Sequence, residues 1–277
     1  MGTSLQDQVA VVSGGGQGLG RALAQGLASE GAAVTVTAHN AELVQETVAM
    51  IKDSGGQALA LPADITDSDA VNRVVEATEK NFGSVDILIN NAAVGGPSGP
   101  VWKQDVENWR RTLEINVFGQ FLITRTVMQG MVERRRGRII NLASGADHLK
   151  DGFVGFSAYA ASQAALCRLT ENLAVEAREL GISVFAISLG VVRSEMLDRT
   201  VEATVAELAS GRVERLPESA KPFQRPIQLC LLMASGRADS LSGTILSVRD
   251  DIAELIGRGD EINERDFDRL RLNALET

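Results

Sequence analysis

The sequence has few of the residues that form disulfides and metal sites. Its 277 residues include only two cysteines and two histidines, and these stand far apart, so we expect neither a disulfide framework nor a metal centre. No apolar run is long enough to cross a bilayer, and the first eight residues lack an apolar signal segment. We therefore expect a cytoplasmic protein that binds no metal and no membrane.

Positive charge is also scarce. Lys and Arg number 27 against 36 Asp and Glu, which gives a formal net charge of −9. A chain of this charge offers no basic surface for nucleic acid. Hydrophobic residues make up 44% of the sequence, enough for one large α/β domain with a sizeable core. The expected partner is a small molecule.

Short apolar runs alternate with helical patterns along most of the chain. Seven of these runs are predicted to be strands, and this alternation is typical of a doubly wound parallel sheet with helices on both faces. The longest helical pattern runs from Val106 to Arg136. Its spacing predicts that Trp109, Leu113, Val117, Phe121 and Met128 lie on one face.

A glycine-rich turn follows the first predicted strand. Residues 13–20 read Ser-Gly-Gly-Gly-Gln-Gly-Leu-Gly. Glycines at 14, 18 and 20 permit a sharp turn and a close approach to a ligand, and the N-terminus of the next helix can bind a phosphate. The strand, turn and helix predict a dinucleotide site, although the spacing differs from G-x-G-x-x-G.

Three further features follow in an order typical of one family. Two of them, Asn90-Asn91-Ala92-Ala93 and Ser144, each come directly after a predicted strand. The third is the occurrence of Asn116 and Tyr159 in the helical patterns that precede and follow Ser144. With the glycine turn, they resemble the short-chain dehydrogenase/reductase family over residues 5–250. The resemblance implies a single Rossmann-type domain over 1–250, a nicotinamide cofactor, and hydride transfer to or from a carbonyl or alcohol carbon.

The resemblance also implies roles for particular residues. The catalytic site would comprise Asn116, Ser144, Tyr159 and Gln163, with Tyr159 as proton donor or acceptor, Ser144 polarising the substrate oxygen and Asn116 supporting a water. Glycines 14, 18 and 20 would hold the pyrophosphate, and Asp64 with Ile65 would flank the adenine. The full set of expected cofactor contacts is Ser13, Gly14, Gln17, Gly18, Leu19, Gly20, His39, Asp64, Ile65, Asn91, Ala92, Tyr159, Gln163, Gly190, Val192 and Ser194.

One residue departs from the family's Tyr-x-x-x-Lys pattern. The chain reads Tyr159-Ala-Ala-Ser-Gln163, so a neutral amide replaces a cation on the same helix face. A cation about 4 Å from a phenolate is worth about 4 kcal/mol at an effective dielectric constant of about 20, or about a thousandfold in the phenolate population. We expect Tyr159 to be a weak proton acceptor but a competent donor.

The second predicted strand leaves the choice between NAD and NADP open. Ala38 stands where an NAD-preferring site has an acid, and His39 stands where an NADP-preferring site often has an arginine. The missing acid leaves room for a phosphate, which slightly favours NADP(H). By the same resemblance, residues 193–225 form a lid, whose apolar side chains predict a moderately apolar substrate. A charged, helical tail is expected over 251–277.

Three functional hypotheses remain open. The first is an NAD(P)-dependent carbonyl reductase or alcohol dehydrogenase. The second is a protein that binds a dinucleotide or small ligand without efficient turnover, which Gln163 favours. The third is an enzyme inactivated by an engineered Lys-to-Gln change. The two longest helical patterns carry apolar residues on more than one face, which predicts a homodimer or homotetramer.

Overall fold

Seven parallel strands form one sheet at the centre of the computed structural model, which describes residues 4–143, 155–189 and 223–259. The strands are β1 (Val9–Ser13), β2 (Ala33–Thr37), β3 (Gln57–Ala60), β4 (Ile87–Asn90), β5 (Gly137–Ala143), β6 (Ile182–Ser188) and β7 (Ile245–Ser247). Their order is β3-β2-β1-β4-β5-β6-β7, and every neighbouring pair is parallel. The chain changes direction across the sheet between β1 and β4, and doubly wound sheets bind ligands at such a point.

Helices cover both faces of this sheet. Within the described residues they are α1 (Gly18–Ser29), α2 (Ala41–Asp53), α3 (Ser68–Phe82), α4 (Val106–Leu113), α5 (Gln120–Arg134), α6 (Ser157–Ala177), α7 (Gln224–Ala234) and α8 (Ile252–Gly257). One core contains residues of α1, α2 and α7. The other contains residues of α3, α5 and α6. The predicted single α/β domain with a seven-stranded parallel sheet is confirmed.

The central strands contribute side chains to both cores. In β1, Ala10 and Val12 join the first core, whereas Val11 joins the second. In β4, Ile89 faces the first core and Leu88 the second. Successive strand residues point to opposite faces, so a strand covered on both sides is apolar at nearly every position; in β1 and β4 only the last residues, Ser13 and Asn90, are polar. This explains why these strands read as uninterrupted apolar runs.

A π-helical turn interrupts the longest predicted helix. It spans Glu114–Gly119 and joins α4 to α5. Because a π-turn contains more residues than an α-helical turn, it rotates the faces of the helix that follows. Of the five residues predicted to share one face, Phe121 is 41% exposed, whereas the other four are partly buried. The buried apolar residues of α5 are instead Ile123, Val127 and Met131.

Several predicted features fall outside the described residues. They include Ser144, residues 193–222 of the predicted lid, and the tail beyond residue 259. In the described part of the predicted tail, α8 is helical. Cys167 and Cys230 are both buried, on α6 and α7, and burial raises the pKa of the Cys230 thiol. None of the described helices is both long and apolar enough to span a membrane.

Two valines provide a matched test of this packing. Val184 on β6 is completely buried, whereas Val175 on α6 is 60% exposed. Val184→Ala should lower the free energy of unfolding by about 2–3 kcal/mol, because it removes two buried methyl groups and leaves a cavity. Val175→Ala should leave stability unchanged or slightly raised, since alanine favours helix. Urea denaturation measures both, and equal effects would contradict this packing.

Candidate functional site

The glycine turn packs against the turn that follows β4. Gly14 has a φ of +64°, and a Cβ added there would lie 2.7 Å from the Cα of Ala92. A Cβ on Gly20 would collide with the Gly14 carbonyl oxygen and lie 2.5 Å from the Asn91 Nδ2 atom. Real side chains do not tolerate such approaches, so this packing requires glycine at both positions.

Asn91 and Ser13 join these two turns by hydrogen bonds. The Asn91 Nδ2 atom donates to the carbonyl oxygens of Ser13 and Gly14 at 3.1 and 3.0 Å. The backbone N–H groups of Asn91 and Ala92 donate to the Ser13 hydroxyl at 3.1 and 3.2 Å. Gln120 on α5 donates its Nε2 to the Ala92 carbonyl at 2.5 Å. These contacts hold the carboxyl ends of β1 and β4 in a fixed arrangement.

The N-terminus of α1 presents its backbone N–H groups next to this junction. Gln17 occupies the cap position, but its side chain makes no capping hydrogen bond among the described residues, and the first turn contains no acid. By contrast, Asn40, Asp67 and Asp105 cap α2, α3 and α4. An uncapped helix N-terminus after a glycine turn suits a phosphate.

Gly18 and Leu19 differ in which of their atoms could contact a bound phosphate. Gly18 has a φ of +54°, and a Cβ there would meet no atom within 4 Å, so this part of the turn is open. The Leu19 side chain is buried in the first core, which leaves its backbone for ligand contacts. The turn therefore fits the pyrophosphate of a dinucleotide.

Arg21 supports the glycine turn from α1, although sequence reasoning missed it. Its Nη2 donates to the Gly16 carbonyl oxygen at 2.7 Å and to the Glu46 carboxylate at 2.9 Å. The Thr47 hydroxyl donates to the same Gly16 carbonyl at 3.1 Å. Arg21 is four residues beyond Gln17 and so shares its helix face. This four-residue spacing was the only feature of the sequence that could have indicated a role for Arg21 at the glycine turn.

The carboxyl end of β2 borders the same turn. The Gly15 N–H donates to the Thr37 carbonyl at 3.2 Å. Beyond it, Ala38 is partly buried and His39 is exposed. This end of the site therefore carries neither an acid nor a permanent positive charge at the two positions expected to distinguish NAD from NADP.

Asp64 follows β3 and forms an ion pair with α4. Its Oδ2 accepts from the Arg111 Nη2 at 2.8 Å, and its Oδ1 accepts from the backbone N–H and hydroxyl of Thr66 at 2.9 and 2.8 Å. Partial burial raises the pKa of the Asp64 carboxyl, but the Thr66 hydrogen bonds and Arg111 outweigh it and leave the pKa lowered. The Asp64 side chain is still 46% exposed, so its remaining lone pairs can accept from a ligand.

Ile65 is oriented differently from Asp64. Its side chain is buried in the second core and lies against Gly119 at the end of the π-turn. The side chain is thus directed into the protein, so an adenine would meet mainly the Ile65 backbone.

The π-turn places Asn116 against α6. Its Oδ1 accepts from the Val94 N–H at 2.8 Å, and its Nδ2 donates to the Val94 carbonyl at 2.9 Å and to the Ser162 hydroxyl at 3.0 Å. The Ser162 hydroxyl in turn donates to the Tyr159 carbonyl at 2.7 Å. Both Nδ2 protons are therefore used within the protein, and the side chain could support a water only through the second lone pair of Oδ1.

Tyr159 and Gln163 lie one turn apart on α6. Tyr159 is partly exposed and Gln163 is buried. Two residues before Tyr159, the Ser157 hydroxyl accepts from the Trp109 Nε1 at 2.9 Å and donates to the Gln104 Oε1 at 2.6 Å. The start of α6 is therefore fixed by polar contacts to α4 and to the segment before it.

The structure unites some of the predicted site residues and leaves others undescribed. The glycine turn packs against Asn91 and Ala92, and Asn116 is hydrogen-bonded to Ser162 on the helix that carries Tyr159 and Gln163. Ser144, Gly190, Val192 and Ser194 lie outside the described residues. Sequence reasoning missed Ser162 and Arg111. The sequence could have indicated Ser162, because it is a hydroxyl residue between Tyr159 and Gln163. Nothing in the sequence indicated that Arg111 pairs with Asp64.

A comparison with known protein families agrees with this geometry. Residues 8–204 match the family model for short chain dehydrogenases. The chain belongs to the short-chain dehydrogenase/reductase family. No group of three or more His, Cys, Asp or Glu side chains placed to hold a metal occurs in the described stretches.

Individual relatives cover nearly the whole of this short-chain dehydrogenase/reductase. It is 34% identical over 256 residues to the sorbitol dehydrogenase of Cereibacter sphaeroides, covering 91% of this chain and 94% of that protein. Among solved structures it is similar to a variant of actinorhodin polyketide ketoreductase with NADPH, with a TM-score of 0.81, 28% identity and coverage of 88% and 97%. NAD⁺-bound xylitol dehydrogenase gives a TM-score of 0.79, 27% identity and coverage of 87% and 97%.

In this short-chain dehydrogenase/reductase, adding one methyl group at Gly20 tests the packing between the glycine turn and the turn after β4. Gly20→Ala should destabilise the protein by about 1–3 kcal/mol through overpacking and should weaken binding of a nicotinamide dinucleotide about tenfold or more. Urea denaturation and calorimetric titration measure the two effects. Gly257→Ala is the matched control, because a Cβ there would meet no atom within 4 Å. A Gly20→Ala protein that behaves like this control would contradict the packing described here.

Proposed function

We propose that this chain is a cytoplasmic NAD(P)-dependent oxidoreductase that interconverts a moderately apolar carbonyl compound and its alcohol. The observation that carries the proposal is the packing of the glycine turn on the Asn91 turn, beside the uncapped N-terminus of α1. This arrangement suits a dinucleotide pyrophosphate at the change in strand order. Membership of the short-chain dehydrogenase/reductase family supports the same function.

Contacts with the cofactor are proposed along the carboxyl edge of the sheet. Ser13 and residues 14–20 would surround the pyrophosphate, with Gln17 and Leu19 contributing through backbone N–H groups. Asp64 and the Ile65 backbone would meet the adenine. Asn91 and Ala92 would border the nicotinamide ribose, and Gly190, Val192 and Ser194 would complete that end. The absence of an acid at Ala38, with His39 beside it, slightly favours NADP(H).

Proton transfer is assigned to α6. A bound nicotinamide would supply or accept the hydride at the carbon. Tyr159 would donate its phenolic proton to the carbonyl oxygen, which Ser144 would polarise by a hydrogen bond. Gln163 would offer a hydrogen bond to the cofactor ribose but no positive charge. Reduction is therefore the favoured direction, because it needs Tyr159 only in its neutral, protonated form.

A second candidate function is binding without efficient turnover. The buried amide of Gln163, at the position of the family's lysine, favours it. A titration with NADP(H) and NAD(H), followed by assays on a panel of carbonyl compounds, separates the two functions. Turnover supports the oxidoreductase. Cofactor binding without turnover of any carbonyl compound supports the binding protein.

Position 163 tests the proposed mechanism directly. Gln163→Lys should increase alcohol oxidation much more than carbonyl reduction, because a cation near Tyr159 makes its phenolate accessible near neutral pH. The oxidation rate of the parent should rise only at alkaline pH, and the lysine variant should shift that rise to lower pH. The increase has a ceiling of about a thousandfold. Rates of oxidation and reduction across pH measure the effect.

The control for this experiment is Gln129→Lys, which makes the same change at an exposed position of α5. It should leave both pH profiles unchanged. The mechanism fails if Gln163→Lys leaves the profiles where they were, or if Tyr159→Phe is as active as its parent.

Self-association is also proposed, as a dimer or tetramer. Phe118 and Phe121 are 47% and 41% exposed, and their ring centroids lie 6.4 Å apart. Two adjacent exposed aromatic rings on a helix are typical of an interface. A second copy of the chain, related by a two-fold axis, would cover them.

Light scattering at micromolar concentration tests this assembly. The parent should have the mass of two or four chains, and Phe121→Asp should have a lower mass, because a charge on a buried apolar interface is costly. Met50→Asp is the matched control, since Met50 is also 41% exposed but lies on α2. A monomeric parent would rule out the assembly.

A further inference from the structure

The loop after β3 contacts both ends of the π-turn that carries Asn116. The contacts come from the consecutive residues Asp64, Ile65 and Thr66, here named the 64–66 loop. They reach Glu114, the first residue of the π-turn, through Arg111, and Gly119, its last residue, directly. Asn116 lies between these two contacts.

Arg111 makes the contact at the start of the π-turn. Its Nη2 donates to Asp64 Oδ2 at 2.8 Å, and its Nη1 donates to the Thr66 hydroxyl at 3.1 Å. The same Nη1 lies 3.1 Å from a carboxylate oxygen of Glu114. The planar guanidinium thus bridges the 64–66 loop and the π-turn, a geometry that a lysine ammonium does not reproduce.

Ile65 makes the contact at the end of the π-turn. A Cβ on Gly119 would lie 2.7 Å from Ile65 Cγ1 and 3.3 Å from the Ile65 carbonyl oxygen. The backbone of the π-turn therefore approaches the Ile65 side chain more closely than any other residue type would allow. A shift of Ile65 must be accommodated by Gly119.

We propose that Arg111 is a positioning residue that couples adenine binding at the 64–66 loop to the position of the Asn116 turn. The inference rests on the proposed function, because it takes Asp64 and the Ile65 backbone as the adenine contacts. A π-turn is rare and is retained only where its surroundings favour it. The 64–66 loop contacts one end of the π-turn directly and the other through Arg111, so a ligand that fixes this loop should also fix the turn.

Hydrogen bonds connect Asn116 on the π-turn to Tyr159, the proposed proton donor. The Asn116 side chain is hydrogen-bonded to Val94 and Ser162, and Ser162 to the Tyr159 carbonyl. Coupling of this kind is reciprocal, so fixing the turn must also strengthen adenine binding. The structure thus assigns to Arg111 a role in preparing the catalytic helix when the adenine half of the cofactor binds.

Trp109 provides a reporter for the experiment. The chain has two tryptophans, and Trp102→Phe removes the exposed one and leaves Trp109 on α4, two residues before Arg111. ADP-ribose serves as the probe, because it contains the adenine and pyrophosphate but no nicotinamide. Calorimetry measures its affinity, and the emission of Trp109 measures the response of α4 in the same samples.

In the Trp102→Phe background, saturating ADP-ribose should shift the Trp109 emission. Adding Arg111→Gln should abolish the shift and weaken ADP-ribose about fivefold or more. Arg111→Lys keeps the charge and should bind ADP-ribose yet lose most of the shift. Arg110→Gln is the matched control: Arg110 is exposed, pairs with Glu107 on its own helix and lies 3.8 Å from Glu114 of the π-turn. It is Arg111 that contacts the 64–66 loop, so the loss of Arg110 should change neither quantity. Circular dichroism verifies that each variant is folded.

The outcomes separate this inference from the proposed function. If neither ADP-ribose nor NADP(H) binds the parent, the proposed function fails and the coupling with it. If ADP-ribose binds without moving the Trp109 emission, only the coupling is overturned. The coupling is equally overturned if Arg111→Lys retains the full shift, or if Arg110→Gln and Arg111→Gln reduce it to the same extent.

Discussion

The hydrogen bonds from the Asn91 side chain to the carbonyls of Ser13 and Gly14 are the interaction on which the rest of the site depends. They bring the ends of β1 and β4 together where the strand order reverses. The close packing that results admits only glycine at 14 and 20. This packing in turn fixes the start of α1, where the Gln17 side chain makes no capping hydrogen bond among the described residues and the free N–H groups suit a phosphate. The proposed cofactor site is therefore formed by backbone geometry, with little contribution from charged side chains.

A second constraint comes from the π-turn between α4 and α5. It rotates α5 so that Ile123 and Val127 enter the core while Phe121 is exposed. The same turn directs Asn116 towards Val94 and Ser162, and so links the turn after β4 to the helix of Tyr159. One local irregularity thus affects both the contacts of the Tyr159 helix and the exposure of Phe121 on α5. The 64–66 loop packs against one end of this π-turn and reaches the other through Arg111.

The sheet and the glycine turn could be predicted from the sequence, because buried parallel strands read as apolar runs and glycine spacing reports backbone geometry. The π-turn could not be predicted, since one extra residue in a helix leaves no mark on its composition. The Asp64–Arg111 ion pair joins residues 47 positions apart, and a single sequence contains no signal for such a pair. The burial of the Ile65 side chain could not be predicted either, because it depends on contacts with residues far away in the sequence, such as Gly119.

Family membership narrows the chemistry to oxidation and reduction, and the neutral side chain of Gln163 is the basis for the proposed preference for reduction. The proposed function requires that a nicotinamide dinucleotide lies across the glycine turn and reaches Tyr159. A crystal structure of the chain with NADPH tests this claim most directly. The pyrophosphate should lie on residues 14–20 at the N-terminus of α1, with the nicotinamide beside Tyr159. A cofactor bound elsewhere, or none at saturating concentration, would contradict the account.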